Sequence, residues 1–342
     1  MVDTHQDPLL ATQPPAQPSS NGRRSRVVCS IGLTGLLLLL PLSRPIVGGL
    51  YNYVMQVATI ALMWVALATS WNLIGGYAGY ISLGNNVFFG IGGYLAGALL
   101  VYQGWSPFVT ALLAGLVGFL VGLMVGLITL RTRGPAFIIA TIALLLMAAL
   151  IFDNWELVGG ANGLSLPLPQ FPRDWARAPF YLAMLIAAAG SVVLSWKVAH
   201  SKLGLGLRAL AQDEVKAEVL GIDTKRYKII AFALSGIFPA VVGAIWGYSL
   251  TYLRPSIFFT IGIAAQMVLM AIIGGRATVA GPAVGAILLV TLNEASVSQF
   301  GSSELNIVVT GGILIVVLLF FPLGIVGSLR QRGKLPAFLD WD

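Results

Sequence analysis

The sequence predicts an all-α integral membrane protein, a polytopic bundle of about ten transmembrane helices. Hydrophobic residues make up 57% of the 342 residues and charged residues only 10%, well below the roughly 25% charge of soluble domains. Apolar runs of about 20 residues, the length that crosses the hydrocarbon core of a bilayer, recur along the chain. No polar stretch is long enough to fold a separate soluble domain, so lipid is the expected solvent.

The apolar runs are separated by short loops that hold most of the charge. With both termini in the cytoplasm, only four of the 20 Lys and Arg residues lie on the outer side, as the positive-inside rule requires. This bias supports an even number of spans, and it accounts for the net charge of +7 without nucleic acid. The predicted spans are 27–49, 50–72, 84–103, 107–130, 135–152, 179–198, 228–250, 261–275, 279–298 and 307–327.

The two ends of the chain are predicted to be cytoplasmic tails. Residues 1–26 hold several prolines among Ser, Gln and Ala, a composition that predicts disorder. The basic residues that follow precede an apolar run without an A-x-A-like cleavage site, which favours an uncleaved first span. We therefore expect a transmembrane domain over 27–327, which includes a polar loop at 199–227, and a short tail over 328–342.

Glycines are spaced four apart in several spans, which predicts close helix packing. Two glycine-rich segments, 75–97 and 274–285, interrupt the apolar pattern near a membrane face. Irregular backbone at that depth is tolerated only inside protein or beside a cavity. These segments therefore predict broken helices beside a transport path, with tight turns between spans as the alternative. The spaced glycines are Gly93 and Gly97; Gly118, Gly122 and Gly126; Gly243 and Gly247; Gly281 and Gly285.

The polar loop 199–227 carries a helical pattern. From Arg208 to Leu220 the spacing favours one amphipathic helix, with an apolar row beside charges of both signs. Gly221 follows as a natural C-terminal cap. Mixed charge favours docking to a partner protein over binding to anionic lipid. Gly204 and Gly206 are predicted to form a flexible joint that leads into this helix.

Several classes of chemistry are missing from the sequence. There is no G-x-x-x-x-G-K-[ST] motif, so we expect no ATPase site of its own. With one cysteine and two histidines, His5 and His200, we expect no catalytic constellation, no metal site and no cofactor. Glu294 is the one acidic residue inside a predicted span, which leaves an ion-coupled carrier as an alternative class. A passive channel is a further alternative.

Polar amides inside apolar spans are the candidates for a transport path, because such groups usually face the interior of a bundle. The alternative is that they form hydrogen bonds between helices without touching a solute. The lack of fixed charge among them favours a neutral or zwitterionic solute. The candidates are Asn72, Asn85, Asn86, Gln266 and Asn293.

Five segments, in order along the chain, resemble the permease subunits of ATP-driven importers for branched-chain amino acids, the leucine, isoleucine and valine type. The resemblance covers nearly everything after residue 50. Asn85 and Asn86 stand after S-L-G where many relatives have a histidine, so the cargo is left open. The segments are NLIGGYAGYISLGNNVFFGIGGYLAG, GGANGL, GLGLRALAQDEVKAEVLGIDTKRYKIIAFALSG, GGRATVAGPAVGAILL and FFPLGIVG.

The resemblance implies a subunit of an ABC importer in the bacterial inner membrane. Its partners would be a second, related permease, cytoplasmic ABC ATPase subunits and a periplasmic substrate-binding protein. The cargo would be a branched-chain or other neutral amino acid, with urea or short amides as the alternative. The family's ATPase-coupling helix would fall on Arg208–Gly221, and the coupling residues on and beside it would be Arg208, Asp213, Glu214, Lys216, Glu218, Gly221 and Asp223.

Overall fold

The computed structural model describes residues 37–43, 48–129, 134–169, 171–172, 175–300 and 323–333, with scattered positions among 308–321 and 336–341. Within them, eight helices are long and apolar enough to cross a membrane. This confirms the predicted polytopic helical membrane protein. The predicted tail 1–26 lies outside the described residues, and so do most of the predicted span 27–49 and nine of the 21 residues of the predicted span 307–327.

The described helices follow the predicted spans closely, and their ends differ by a few residues at most places. Two short antiparallel strands pair Leu164 with Leu253 and Ser165 with Tyr252. The helices are α1 Tyr51–Asn72, α2 Asn85–Gln103, α3 Pro107–Thr129, α4 Pro135–Asp153, α5 Ala178–Ala199, α6 Lys202–Gln212, α7 Glu214–Val219, α8 Thr224–Leu250, α9 Pro255–Phe258, α10 Ile261–Gly274, α11 Gly281–Phe300 and α12 Gly324–Gln331, and the strands are β1 Leu164–Ser165 and β2 Tyr252–Leu253.

Helix α8 packs along both α2 and α3, while α1 packs against α5, α10 and α11. Glycines make these contacts close, as the sequence predicts. A Cβ atom added to Gly92 of α2 would lie 1.9 Å from the Ala240 carbonyl oxygen of α8. One added to Gly243 of α8 would lie 1.9 Å from the Phe89 carbonyl oxygen of α2. Backbone therefore touches backbone, as is common where helices pack in lipid.

The irregular part of the first glycine-rich segment lies at its start. Helix α1 continues into a π-helical turn at Leu73–Tyr77, and a non-helical stretch leads to Asn85, where α2 begins. The glycines from Gly90 to Gly97 lie inside a regular helix. The break is therefore confined to the residues before Asn85, where the span 84–103 is predicted to begin, and the later glycines serve close packing.

A second break lies where the sequence did not predict one. After α8 ends, the chain turns back along α2: Leu253 packs against Gly97, Phe258 against Gly93, and the Thr260 carbonyl accepts from the Asn86 amide. Gly97 and Asn86 are 11 positions apart, which is about 16 Å at 1.5 Å per residue. Helix α10 therefore begins beside the start of α2, well back along the bundle from the end of α8.

Candidate functional site

The loop between α5 and α8, which we call the coupling loop, contains two helices. They meet at Asp213, which is extended, with φ −161° and ψ 111°. The predicted single helix from Arg208 to Leu220 is therefore wrong at its centre. The Asp213 carboxylate accepts hydrogen bonds from the backbone N–H groups of Val215 and Lys216 at 3.0 and 3.1 Å. Aspartate favours this capping geometry over a helix interior.

The capping bonds also keep Asp213 charged. The hydrogen bond from the Lys216 backbone N–H is the largest of the effects that lower the pKa of the Asp213 carboxyl below its usual 3.8. The cap is consequently present at neutral pH. It is lost only as the pH falls through this lowered value, because a protonated carboxyl is a weaker acceptor.

Gly204 and Gly206 do not form a flexible joint, which corrects the prediction from the sequence. Both lie inside α6 and are buried. A Cβ atom on Gly204 would lie 2.1 Å from the Val198 carbonyl oxygen, and one on Gly206 would lie 2.3 Å from the Tyr227 ring. These glycines bring α6 close against the ends of the neighbouring spans.

Four apolar side chains of the coupling loop are exposed beside its charged ones, although the loop lies outside the spans. Val219 is 83% exposed and Leu220 is 78% exposed. Leu205 and Val215 are also exposed. We call these four residues the docking surface. Exposed apolar patches outside the spans mark contact sites for partner molecules.

The coupling loop ends in a glycine cap, as the sequence predicts. Gly221 has φ +83°, its N–H donates to the Glu218 carbonyl, and the Ile222 N–H donates to the Ala217 carbonyl. No atom of the described residues lies within 4 Å of a Cβ added at Gly221. The requirement for glycine is therefore conformational and not steric.

This distinction gives a first testable prediction. Gly221→Val is expected to destabilise the end of α7 by about 1–2 kcal/mol, since a β-branched residue resists positive φ. Gly221→Asn is the matched control, because asparagine tolerates this conformation. Hydrogen exchange of the residues 214–222 would show the difference: faster exchange is expected in the valine variant alone. Equal exchange in both variants would contradict the role of the cap.

The inner side of the coupling loop rests on the segment between α1 and α2. The Arg208 guanidinium lies over the Tyr77 ring at 5.7 Å. Gly79 has φ +77°, and a Cβ added there would lie 3.3 Å from the Ala211 methyl group. Helix α6 thus sits directly on the irregular backbone that leads into α2.

Among the predicted coupling residues, the acidic ones make bonds within the chain. Glu214 points inward, to Lys228 and Tyr80. Glu218 accepts from the Thr224 hydroxyl at 2.8 Å. Asp223 caps α8 by accepting from the Arg226 N–H at 3.2 Å. Lys228 and Tyr80 were not predicted as site residues, because the sequence shows Lys228 only as one more cytoplasmic charge.

The five predicted path amides fall into two groups. Asn72 is fully buried and holds the loop after α10: its Nδ2 donates to the Thr278 carbonyl at 2.9 Å, and its Oδ1 accepts from the Ala277 N–H at 2.9 Å. Ala277 has φ +62°. The Asn72 side chain thereby stabilises a backbone conformation that alanine rarely adopts.

Asn85 and Asn86 are also buried, at the start of α2. The Asn86 Nδ2 donates to the carbonyls of Phe258 and Thr260 at 2.7 and 2.9 Å, and the Asn85 Nδ2 donates to the Ser235 hydroxyl at 3.0 Å. Two carbonyl acceptors fix the orientation of the Asn86 amide. Within the described part of the chain, the Oδ1 atoms of both residues are buried without a hydrogen-bond partner.

Gln266 and Asn293 form the second group, because both are exposed on the surface of the bundle. Gln266 lies one turn after Gly262 on α10, and among the described residues a Cβ added at Gly262 would approach only the Thr260 hydroxyl, at 3.9 Å. Within the described part of the chain, this face of α10 is open. An amide on the surface of a span favours a water-filled path or a subunit contact over lipid.

The fold and the site together define a polytopic helical membrane protein with a two-helix loop between α5 and α8 and irregular backbone between α1 and α2. Residues 53–318 match the family model described as the permease component of branched-chain amino acid transport systems. The chain belongs to this family.

Curated relatives agree with this assignment. The chain is 26% identical over 307 residues to the high-affinity branched-chain amino acid transport system permease protein LivM of Salmonella typhimurium, covering 82% of this chain and 71% of the relative. It is 26% identical over 292 residues to LivH of Escherichia coli, covering 79% and 92%. It is 31% identical over 150 residues to BraD of Pseudomonas aeruginosa, covering 43% and 48%. No solved structure matches the chain.

Proposed function

We propose that the chain is a permease subunit of an ATP-driven importer for branched-chain amino acids in the bacterial inner membrane. The family match over 53–318 carries this proposal. Partner subunits would supply ATP hydrolysis, a second related permease would complete the path, and a periplasmic binding protein would deliver the solute. The relatives LivM, LivH and BraD are permease proteins of branched-chain amino acid transport systems.

The docking surface supports the ATPase contact. Its four apolar side chains lie on α6 and α7 or directly after α7, outside the spans, on a loop that is predicted to be cytoplasmic. An amphipathic helix whose apolar residues are exposed fits a groove on a partner protein. The acidic residues of the loop make bonds within the chain and fix its shape, so the apolar residues would provide the contact.

The exposed amides support a path along α10 and α11. Gln266 and Asn293 are uncharged amides, so neither would hold a solute tightly through a fixed charge. The buried amides Asn72 and Asn86 would instead position the irregular segments behind that path through their backbone hydrogen bonds.

Purification of the tagged chain from its native membrane tests the assembly. We expect a P-loop ATPase, a second permease and a binding protein to be enriched with it. The complete set, reconstituted in liposomes, should take up leucine only when ATP is present on the ATPase side. Uptake that does not depend on ATP and is driven by an ion gradient would contradict the proposal. If urea or short amides compete with the transported solute and valine does not, urea or a short amide would be assigned as the cargo instead.

The exposed amides give a second prediction. Gln266→Leu and Asn293→Leu are each expected to lower the leucine uptake rate about tenfold, because loss of one hydrogen-bonding group from a polar path costs on the order of 1 kcal/mol or more. Assembly and ATP hydrolysis should be unchanged. Gln103→Leu, at the exposed end of α2, is the matched control. If the Gln266 and Asn293 variants take up leucine at the same rate as the Gln103 control, these amides are not part of the path.

A further inference from the structure

Three elements of the chain meet at one buried cluster of polar side chains. Glu214 is the first residue of α7, Lys228 lies one turn into α8, and Tyr80 lies in the irregular segment between α1 and α2. The Lys228 Nζ is 2.7 Å from the Glu214 Oε1, and the other carboxylate oxygen accepts from the Tyr80 hydroxyl. The Lys228 Nζ also lies 3.4 Å from the Tyr80 hydroxyl and 5.0 Å from the ring centroid.

The cluster is well buried. The side chain of Lys228 is 2% exposed and that of Glu214 is 12% exposed. A buried ammonium and a buried carboxylate each carry a large desolvation cost, and removing one leaves the other uncompensated. The Lys216–Asp213 pair on the same loop differs, since Lys216 is 82% exposed. The buried pair can therefore separate only at a high cost, whereas the exposed pair can separate freely.

The position of Tyr80 connects the cluster to the path. Tyr80 contacts the Phe137 ring edge-on at 5.3 Å and lies five residues before Asn85. That stretch leads to Asn86, which bonds the carbonyls of Phe258, at the end of α9, and Thr260, directly before α10. The coupling loop is thus linked through Tyr80 and the residues that follow it to Asn86, and through the Asn86 hydrogen bonds to the chain that enters α10.

We propose that Tyr80, Glu214 and Lys228 form a rigid joint that transmits movement of the coupling loop to the irregular segment before α2. This inference rests on the proposed function. Glu214 is then a positioning residue and not a contact to the ATPase, and the docking surface moves as one body with Tyr80. Without the joint, movement of the ATPase subunits would reach the segment before α2 only through the contacts of α6 with Tyr77 and Gly79.

The test separates coupling from assembly. The reconstituted importer is compared with the variants Tyr80→Phe, Glu214→Gln and Lys228→Met and with the charge swap Glu214→Lys plus Lys228→Glu. The readouts are leucine uptake, ATP hydrolysis and the amount of assembled complex. We expect each single variant to hydrolyse ATP at close to the normal rate while uptake per ATP falls about fivefold or more. The swap should recover part of this loss, because it restores an opposite-charge pair.

Tyr80→Phe keeps the Lys228–Glu214 pair and the ring, so it remains informative if a charge variant fails to fold. Lys225→Met removes an exposed charge three residues away on α8 and is the matched control, with no change expected. Parallel loss of uptake and ATP hydrolysis per assembled complex would overturn the joint, as would full uptake per ATP in all variants. Absence of ATP-driven uptake by the wild type would instead overturn the proposed function.

Discussion

Gly243→Ala is expected to reduce the yield of folded protein several-fold. The added methyl group would lie 1.9 Å from the Phe89 carbonyl oxygen and within 3.1 Å of the Phe89 Cα. Both are backbone atoms of α2, so no side-chain rotation can relieve the contact and the two helices must separate. Overpacking costs about 1–3 kcal/mol in soluble cores, and a contact between two backbones offers less room to adjust. Gly92→Ala should have the same effect from the opposite helix, because its methyl group would meet the Ala240 carbonyl.

The measurement is the amount of monodisperse protein after detergent extraction, together with its apparent melting temperature. Gly262→Ala is the matched control, since its methyl group would meet only the Thr260 hydroxyl, at 3.9 Å. Alanine also favours a helix more than glycine does. A lower yield of the Gly262 variant alone, or no change in the Gly243 variant, would contradict the close packing of α2 and α8.

Replacing Val219 and Leu220 together by aspartate is expected to abolish ATP-driven uptake. Both side chains are largely exposed on the docking surface. If they fill an apolar groove on the ATPase, two buried carboxylates would cost several kcal/mol. Retention of the ATPase during purification should fall about tenfold or more, while the variant inserts in the membrane at the normal level.

Lys225→Asp serves as the control for this charge change, because Lys225 is exposed nearby but lies outside the docking surface. Normal ATPase retention by the double aspartate variant would exclude this surface as the contact. Loss of retention in both variants would indicate a general electrostatic effect, which added salt would screen.

The described helices show which parts of the fold follow from composition and spacing. The predicted span 107–130 is observed as Pro107–Thr129, and 135–152 as Pro135–Asp153. Bilayer thickness sets these lengths, and prolines mark both starts. The cap at Gly221 could also be predicted from the sequence, since a glycine that directly follows an amphipathic helix commonly ends that helix with a positive φ.

The coupling loop and the amides show where local patterns fail. The spacing of Ala211, Val215 and Val219 predicted one helix, yet Asp213 ends α6 and caps α7. The preference of aspartate for a cap position competes with the helical pattern, and contacts of α6 with the segment at Tyr77 accompany the break. Asn72 and Gln266 look alike in the sequence, but one is buried and the other is exposed.

The sequence by itself determined that the chain is a bundle of membrane-spanning helices, where most of these helices begin and end, and which loop carries a docking pattern. Each of these properties depends on residues close together along the chain. Only the tertiary structure decided that α10 begins beside the start of α2, that Gln266 faces outward, and that Glu214 turns inward to Lys228 and Tyr80. These depend on contacts between residues far apart in the chain, such as Asn86 and Thr260, which are 174 positions apart and which no local spacing encodes.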